Sequence, residues 1–214
     1  MDKRISEAVR YLGYGKHAVD EGTLCLIEDT FRELEHKSTP KAVYRFLACK
    51  VEDDRTSRIG NIEVESRNLA KNLKGCHQVV MFGITLGTDV DLLIRKYMVT
   101  DMAKAVVMQA CAAVLLEEAC DELQSEIEAE KAEEQLWIRP RFSPGYGDFD
   151  IRHQQDILRI LDTHKKIGLS MTDSYMLTPT KSVTALIGIC KEKMECHKTG
   201  CECCEKTDCQ YRRN

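Results

Sequence analysis

Apolar residues recur at helical spacing through much of the chain and gather into short runs in its middle and near its C-terminus. Leu24, Ile27, Phe31 and Leu34 fall on one face of a 3.6-residue repeat and predict a helix over 19–34. Further stretches with the spacing of shorter helices are 5–12, 65–73, 89–97 and 151–161.

Short apolar runs rich in β-branched and aromatic residues predict the strands. The run over 42–51 is rich in Val, Tyr, Phe and Leu, and the run over 78–87 is closed by glycine. Further strands are predicted over 62–64 and 182–189. Because the helices alternate with few strands in no strict βαβ order, the pattern predicts an α+β fold.

One helix is predicted to be much longer than the others, from 102 to about 134. Thr100 and Asp101 suit its N-cap, and its first half is rich in alanine. The second half is strongly acidic and is balanced by Lys131 alone. Its acidic residues are Glu117, Glu118, Asp121, Glu122, Glu126, Glu128, Glu130, Glu133 and Glu134. Such a run is typical of a solvated helix face, and a docking surface for a basic partner is the alternative.

Composition then limits the classes of function. With 214 residues, 43% of them hydrophobic and 31% charged, the sequence suits one large globular domain with a short appendage. A net charge of −4 gives no reason to expect a nucleic-acid partner. The sequence has no apolar run of the roughly 20 residues that a membrane span needs. Because the first residues are charged, unlike a signal peptide, we expect a cytoplasmic location without membrane attachment.

The cysteines divide the chain into two regions. Of the 11 cysteines, six lie in the last 25 residues, which predicts a body over 1–190 and a cysteine-rich tail over 191–214. Cys190 closes a predicted strand and is expected to be buried. The tail cysteines that are candidate ligands of zinc or an iron–sulfur cluster are Cys196, Cys201, Cys203, Cys204 and Cys209. A tail of reactive thiols without a metal is the alternative.

The segment Arg141-Phe142-Ser143-Pro144-Gly145-Tyr146-Gly147-Asp148 has the composition of a ligand-binding loop. Proline and glycine fix a turn whose backbone groups can face a ligand. An arginine can grip a carboxylate through two hydrogen bonds, and a tyrosine offers a flat ring and a hydroxyl group. An ordinary surface loop has the same composition, so the residues alone do not identify a ligand.

The ordered set of motifs resembles a known family. Residues 141–146 resemble the RxxxGY motif of the activation domain of cobalamin-dependent methionine synthase, and 181–188 resemble the strand that follows it there. Upstream, 10–14, 85–87 and 99–103 are similar to short stand-alone relatives of that domain. The resemblance extends from residue 1 to about 190.

The resemblance implies both a fold and an activity. The family domain is a C-shaped α+β fold with a bent antiparallel sheet and long helices. It binds S-adenosylmethionine in a shallow groove and presents the methyl group to a corrinoid. Cobalt that has slipped to the inactive cob(II) state is reduced by an external donor, such as reduced flavodoxin or a ferredoxin, and methyl transfer traps it as methylcobalamin.

Site residues follow from the same resemblance. Arg141 would hold the carboxylate of S-adenosylmethionine, and backbone near Pro144 and Gly145 would contact its adenosyl part. Tyr146 would lie near the sulfonium methyl and act in catalysis.

The family site also includes an acidic residue on the long helix, for which Glu117 or Glu118 is the candidate here. The sequence has no corrinoid, homocysteine or folate module, so the partner would be a separate corrinoid protein or corrinoid methyltransferase.

Two other classes of function are compatible with the sequence. One is a docking or chaperone module for a corrinoid protein that transfers no methyl group. The other is an iron–sulfur electron-transfer protein in which the tail is the active part.

Overall fold

The computed structural model describes residues 2–14 and 17–192. The helices are α1 (Lys3–Tyr11), α2 (Glu21–Lys37), α3 (Arg67–Asn72), α4 (Thr88–Thr100), α5 (Met102–Glu133), α6 (Gln154–Leu161) and α7 (Thr163–Ile167). The strands are β1 (Lys41–Val51), β2 (Thr56–Ile59), β3 (Ile62–Glu65), β4 (Cys76–Thr85), β5 (Trp137–Ile138), β6 (Ser170–Met171), β7 (Leu177–Thr178) and β8 (Ser182–Cys190). A 3-10 turn, Ile151–His153, precedes α6.

The chain divides into two compact units. The described part of the first unit holds α1, α2, α4 and the start of α5, up to Glu117. The second holds the strands, the rest of α5, and α3, α6 and α7.

The first unit is helical because its helices have capped ends and apolar faces. The Asp20 side chain accepts a hydrogen bond from the Thr23 N–H at 2.9 Å and caps α2. Cys111 packs against the backbone of Ile27, and both are fully buried.

The second unit is built on a six-stranded sheet in the order β3-β2-β1-β4-β8-β5, with every neighbouring pair antiparallel. Strand β4 is central and fully buried from Val79 to Phe82. Its Met81 pairs with Arg45 of β1 and Leu186 of β8, which fixes the register. Strands β6 and β7 form a separate hairpin.

The core of the second unit lies where α6 covers one face of this sheet. Ile157 and Leu161 of α6 pack in one cluster with Met81 and Leu186. Phe149, from the segment before α6, is 2% exposed and belongs to the same cluster. The segment that precedes α6 is therefore anchored in the core by Phe149.

The α+β class predicted from the sequence is confirmed. The long helix has the predicted start and ends at Glu133, and Cys190 is buried at the end of β8, as expected. Strands β2, β5, β6 and β7 were not predicted. Strands β5, β6 and β7 have two residues each, and β2 holds a single large apolar residue, Ile59, so these segments give no pattern. The boundary between 190 and 191 stays a prediction, since the described residues end at 192.

Candidate functional site

The loop Arg141–Asp148, called the Arg141 loop, is attached at its N-terminal end, its base, to the central sheet. Phe142 exchanges two backbone hydrogen bonds of 2.9 Å with Leu186 of β8. The Arg139 N–H donates to the Gly188 carbonyl at 2.8 Å. Because β8 is buried from Thr184 to Cys190 and pairs with the central strand β4, the base of the loop is held against the buried centre of the sheet.

The far end of the loop is attached to the first turn of α3. Asp148 accepts hydrogen bonds from the Ser66 hydroxyl, from the Arg67 N–H at 2.8 Å and from the Asn68 N–H at 3.1 Å. The Ser66 hydroxyl in turn accepts from the Leu69 N–H at 3.0 Å. These bonds satisfy N–H groups that have no partner within a helix, and they fix the loop at both ends.

The same contacts lower the pKa of Asp148 below its ordinary value of 3.8, chiefly through the Ser66 hydroxyl and then through the backbone N–H groups. A lowered folded-state pKa stabilises the fold above the unfolded pKa, and this contribution is lost as the pH falls through the folded value. The attachment of the loop is therefore expected to weaken only below about pH 4.

We expect Ser66→Ala to raise the pKa of Asp148 toward its ordinary value, because the largest cause of the shift is removed. Titration of the carboxyl group by NMR measures this directly. Ser125→Ala is the matched control, since the Ser125 hydroxyl donates to a carbonyl on exposed α5. An unchanged Asp148 titration in Ser66→Ala would contradict the assignment.

Glycine and aromatic residues shape the inside of the loop. Gly145 has φ +86°, which favours glycine, and its N–H donates to the Phe149 carbonyl at 2.7 Å. The Phe142 ring stacks on Phe149 with centroids 6.2 Å apart and meets Tyr146 edge-to-face at 5.5 Å. Tyr146 is nevertheless 70% exposed, so its ring is displayed on a packed support.

Arg141 reaches from the base of the loop to α5. Its Nη1 lies 2.7 Å from Asp121 Oδ1 and 3.3 Å from Gln124 Oε1. The Arg141 side chain is 24% exposed and that of Asp121 is 61% exposed. An ion pair whose carboxylate is this exposed adds little stability.

The residues predicted for the site therefore occupy two elements. Pro144 is buried in the turn of the loop, and Gly145 is exposed beside it. Glu117 and Glu118 are half-buried on α5, and Glu117 lies one helical turn before Asp121.

Sequence reasoning did not single out Asp121 or Gln124 as contacts of Arg141. Their three-residue spacing places them on one helix face, but only the course of the chain after α5 brings Arg141 to that face.

The metal ligands predicted in the tail, Cys196, Cys201, Cys203, Cys204 and Cys209, lie outside the described residues. Within 2–14 and 17–192, no group of three or more His, Cys, Asp or Glu side chains is arranged to hold a metal ion. None of the helices in this part of the chain is long and apolar enough to cross a membrane.

A family model described as the activation domain of vitamin B12 dependent methionine synthase matches residues 69–201. This match spans more than half of the chain and includes the Arg141 loop and β8. The chain belongs to this family.

The fold agrees with that assignment. A crystal structure of the MetH reactivation domain bound to AdoHcy is similar to this chain, with a TM-score of 0.56 and 16% sequence identity. The similarity covers 86% of this chain and 75% of the other. No curated protein sequence matches the chain. This activation-domain member therefore shares the family fold at a low level of sequence identity.

Proposed function

We propose that this activation-domain protein binds S-adenosylmethionine and supports the reductive methylation of cobalt in a separate corrinoid protein. The observation that carries the proposal is the Arg141 loop. A carboxylate-binding guanidinium and an exposed tyrosine ring lie on one segment, which is fixed to β8 at one end and to α3 at the other. Membership of the activation-domain family supports the same ligand.

The two ends of the ligand would meet different parts of the loop. The carboxylate of S-adenosylmethionine would take the place of Asp121 on the Arg141 guanidinium. Backbone groups at Pro144 and Gly145 would contact the adenosyl part, and Tyr146 would lie beside the sulfonium. Glu117, Glu118 and Asp121 are the acidic residues of α5 that could meet the ligand's ammonium group.

The reaction needs little chemistry from the protein itself. One electron from a reduced flavodoxin or ferredoxin-type donor converts cob(II) to cob(I), whose electron pair attacks the methyl carbon. The carbon–sulfur bond breaks with its electron pair going to sulfur, which leaves S-adenosylhomocysteine and a methyl–cobalt bond. The contribution of this methyltransferase-type activation domain is to hold the sulfonium in line with the cobalt that its partner carries.

Isothermal titration calorimetry with S-adenosylmethionine and S-adenosylhomocysteine tests binding. A corrinoid protein in the cob(II) state, mixed with this protein and a chemical reductant, then tests methylation by visible absorbance. Binding together with formation of methylcobalamin supports the proposal. A docking module without methyl transfer would bind the corrinoid protein but neither adenosyl ligand.

We expect Tyr146→Phe to keep ligand binding and to slow methyl transfer. The Phe142–Tyr146 edge contact survives the substitution, whereas the hydroxyl beside the reacting methyl group is lost. Single-turnover transfer to cob(I), compared at saturating S-adenosylmethionine, measures the effect. Equal rates in the two proteins would remove the hydroxyl from the mechanism.

The tail is proposed to hold one metal centre. Cys204 and Cys209 would bind it together with two of Cys196, Cys201 and Cys203, because thiolates at such density suit zinc or an iron–sulfur cluster. Zinc would be structural, and a cluster would pass an electron toward the partner's cobalt.

We expect elemental analysis of anaerobically purified protein to find about one zinc, or iron with sulfide, per chain. Cys204→Ser should lose the metal, and Cys25→Ser, at an exposed cysteine of α2, should keep it. Less than about a tenth of an equivalent, in protein made with both metals supplied, would overturn the proposal.

A further inference from the structure

Within residues 2–14 and 17–192, strand β1 has a free edge along more than half of its length. It pairs with β4 from Lys41 to Ala48, but with β2 only from Cys49 to Val51. Among the residues that the structure describes, the stretch 41–47 thus has a neighbouring strand on one side only. Unpaired strand edges are places where proteins add a further strand from another chain.

Two hydrogen bonds show which backbone groups point away from β4. The Ala48 carbonyl accepts from the Gly60 N–H at 2.9 Å, on the β2 side. Because N–H and C=O groups of alternate residues point to the same side of a strand, those of Ala42, Tyr44 and Phe46 also point to the free edge. None of these groups has a backbone partner within the described residues.

Ala42, Tyr44 and Phe46, whose backbone groups point to the free edge, have their side chains on one face of β1. This face is apolar. Tyr44 is 44% exposed and meets Phe46 edge-to-face with centroids 5.8 Å apart. The Lys131 ammonium lies 4.4 Å from the Phe46 ring and is paired with Glu130 and Glu134. The two aromatic rings therefore give this face an apolar surface, with the Lys131 ion pairs beside Phe46.

The opposite face of the same edge is basic. Lys41 and Arg45 are exposed on either side of Val43, which packs against the core below α6. Helix α7 lies next to β1 and adds the exposed side chains of Lys165 and Lys166. On β1, on α7 and at the α7 N-cap, the one negatively charged side chain is that of Asp162. Its carboxylate lies 3.8 Å from the Lys165 ammonium.

We propose that the edge 41–47 binds an extended acidic segment of a partner protein as an added antiparallel strand. Side chains alternate between the two faces of a strand. The partner segment would thus alternate acidic residues, toward Lys41, Arg45 and α7, with apolar residues toward Tyr44 and Phe46. The same positive charges would repel a second copy of this edge, which makes self-pairing unfavourable. The proposal does not rest on binding of S-adenosylmethionine.

A fluorescein-labelled peptide Glu-Val-Glu-Val-Glu-Val-Glu is a direct probe of the full-length protein. We expect it to raise the fluorescence anisotropy, and a peptide with lysine in place of glutamate to leave it unchanged. In the proposed antiparallel pair, the valines lie opposite Ala42, Tyr44 and Phe46. The N–H and C=O groups of the valines are therefore the ones that hydrogen-bond to β1. Methylating the valine nitrogens should abolish binding, and methylating the glutamate nitrogens should preserve it.

Charge-reversal variants distinguish an effect of the basic face from an effect of the protein's net charge. The double variant Lys41→Glu with Arg45→Glu should weaken binding at least about tenfold, since attraction becomes repulsion. Arg95→Glu, at an exposed site on α4 in the first unit, is the control and should bind normally. Equal loss in Arg95→Glu would overturn the proposal.

Amide hydrogen exchange tests the edge independently of affinity. In the free protein the N–H groups of Ala42, Tyr44 and Phe46 should exchange quickly and those of Val43 and Arg45 slowly. The peptide should slow the first three. Slow exchange of all five without peptide, or a dimer in light scattering, would mean that something else covers the edge and would overturn the proposal.

Discussion

Replacing Arg141 with alanine is expected to weaken S-adenosylmethionine binding by about ten- to a hundredfold, the scale of a charge-assisted hydrogen bond. The guanidinium is held at the base of the fixed loop and faces carbonyl and carboxylate oxygens of α5. Its Asp121 partner is mostly exposed, so loss of the ion pair should leave the fold intact. Arg141→Lys should recover only part of the affinity, because an ammonium lacks the planar fork.

Calorimetry with the wild type and both variants measures this effect, and circular dichroism checks the fold. Arg58→Ala is the matched control, since Arg58 forms a surface ion pair with Glu63 at 3.3 Å on the β2–β3 hairpin. Normal binding in Arg141→Ala would remove this residue from the site. An equal loss of affinity in Arg58→Ala would mean that the net charge of the protein, and not a contact of Arg141, governs binding.

Gly188→Ala is expected to lower the free energy of unfolding by about 2 kcal/mol or more. A Cβ atom at this position would lie 2.6 Å from Cys76 Sγ, 2.8 Å from Leu73 Cδ2 and 3.1 Å from Arg139 Cγ. The site is in the buried strand β8, next to the segment that leads into the Arg141 loop. The neighbours can relieve this crowding only by moving the core of the second unit.

Gly83→Ala is the matched control on the adjacent central strand. There a Cβ atom would meet Leu169 at 3.4 Å and Thr163 at 3.5 Å, which is ordinary contact. We expect this variant to stay within about 1 kcal/mol of the wild type. Urea unfolding followed by fluorescence of Trp137, the only tryptophan of the sequence, reports on the second unit. Equal stability of the two variants would contradict the packing argument.

Much of the candidate loop was predictable because its chemistry is local. The site candidates of the loop all lie within six residues: Arg141, Pro144, Gly145 and Tyr146. Proline and glycine indicate an irregular segment in any fold. The role of Asp148 was not predictable. Its partners, Ser66 and the first N–H groups of α3, lie about 80 residues earlier in the chain.

The sequence by itself determined the α+β class, the long helices and the central strands. Helical periodicity over ten or more residues reports which face of a helix is buried, and continuous apolar runs indicate strands that are buried on both faces. Tertiary structure alone decided that Arg141 meets Asp121 on α5, that Gly188 has no room for a side chain, and that no second described strand pairs with β1 over 41–47. Each of these depends on distances between segments remote in the chain. Local propensity carries no information about such distances, since they follow from how the buried faces pack together.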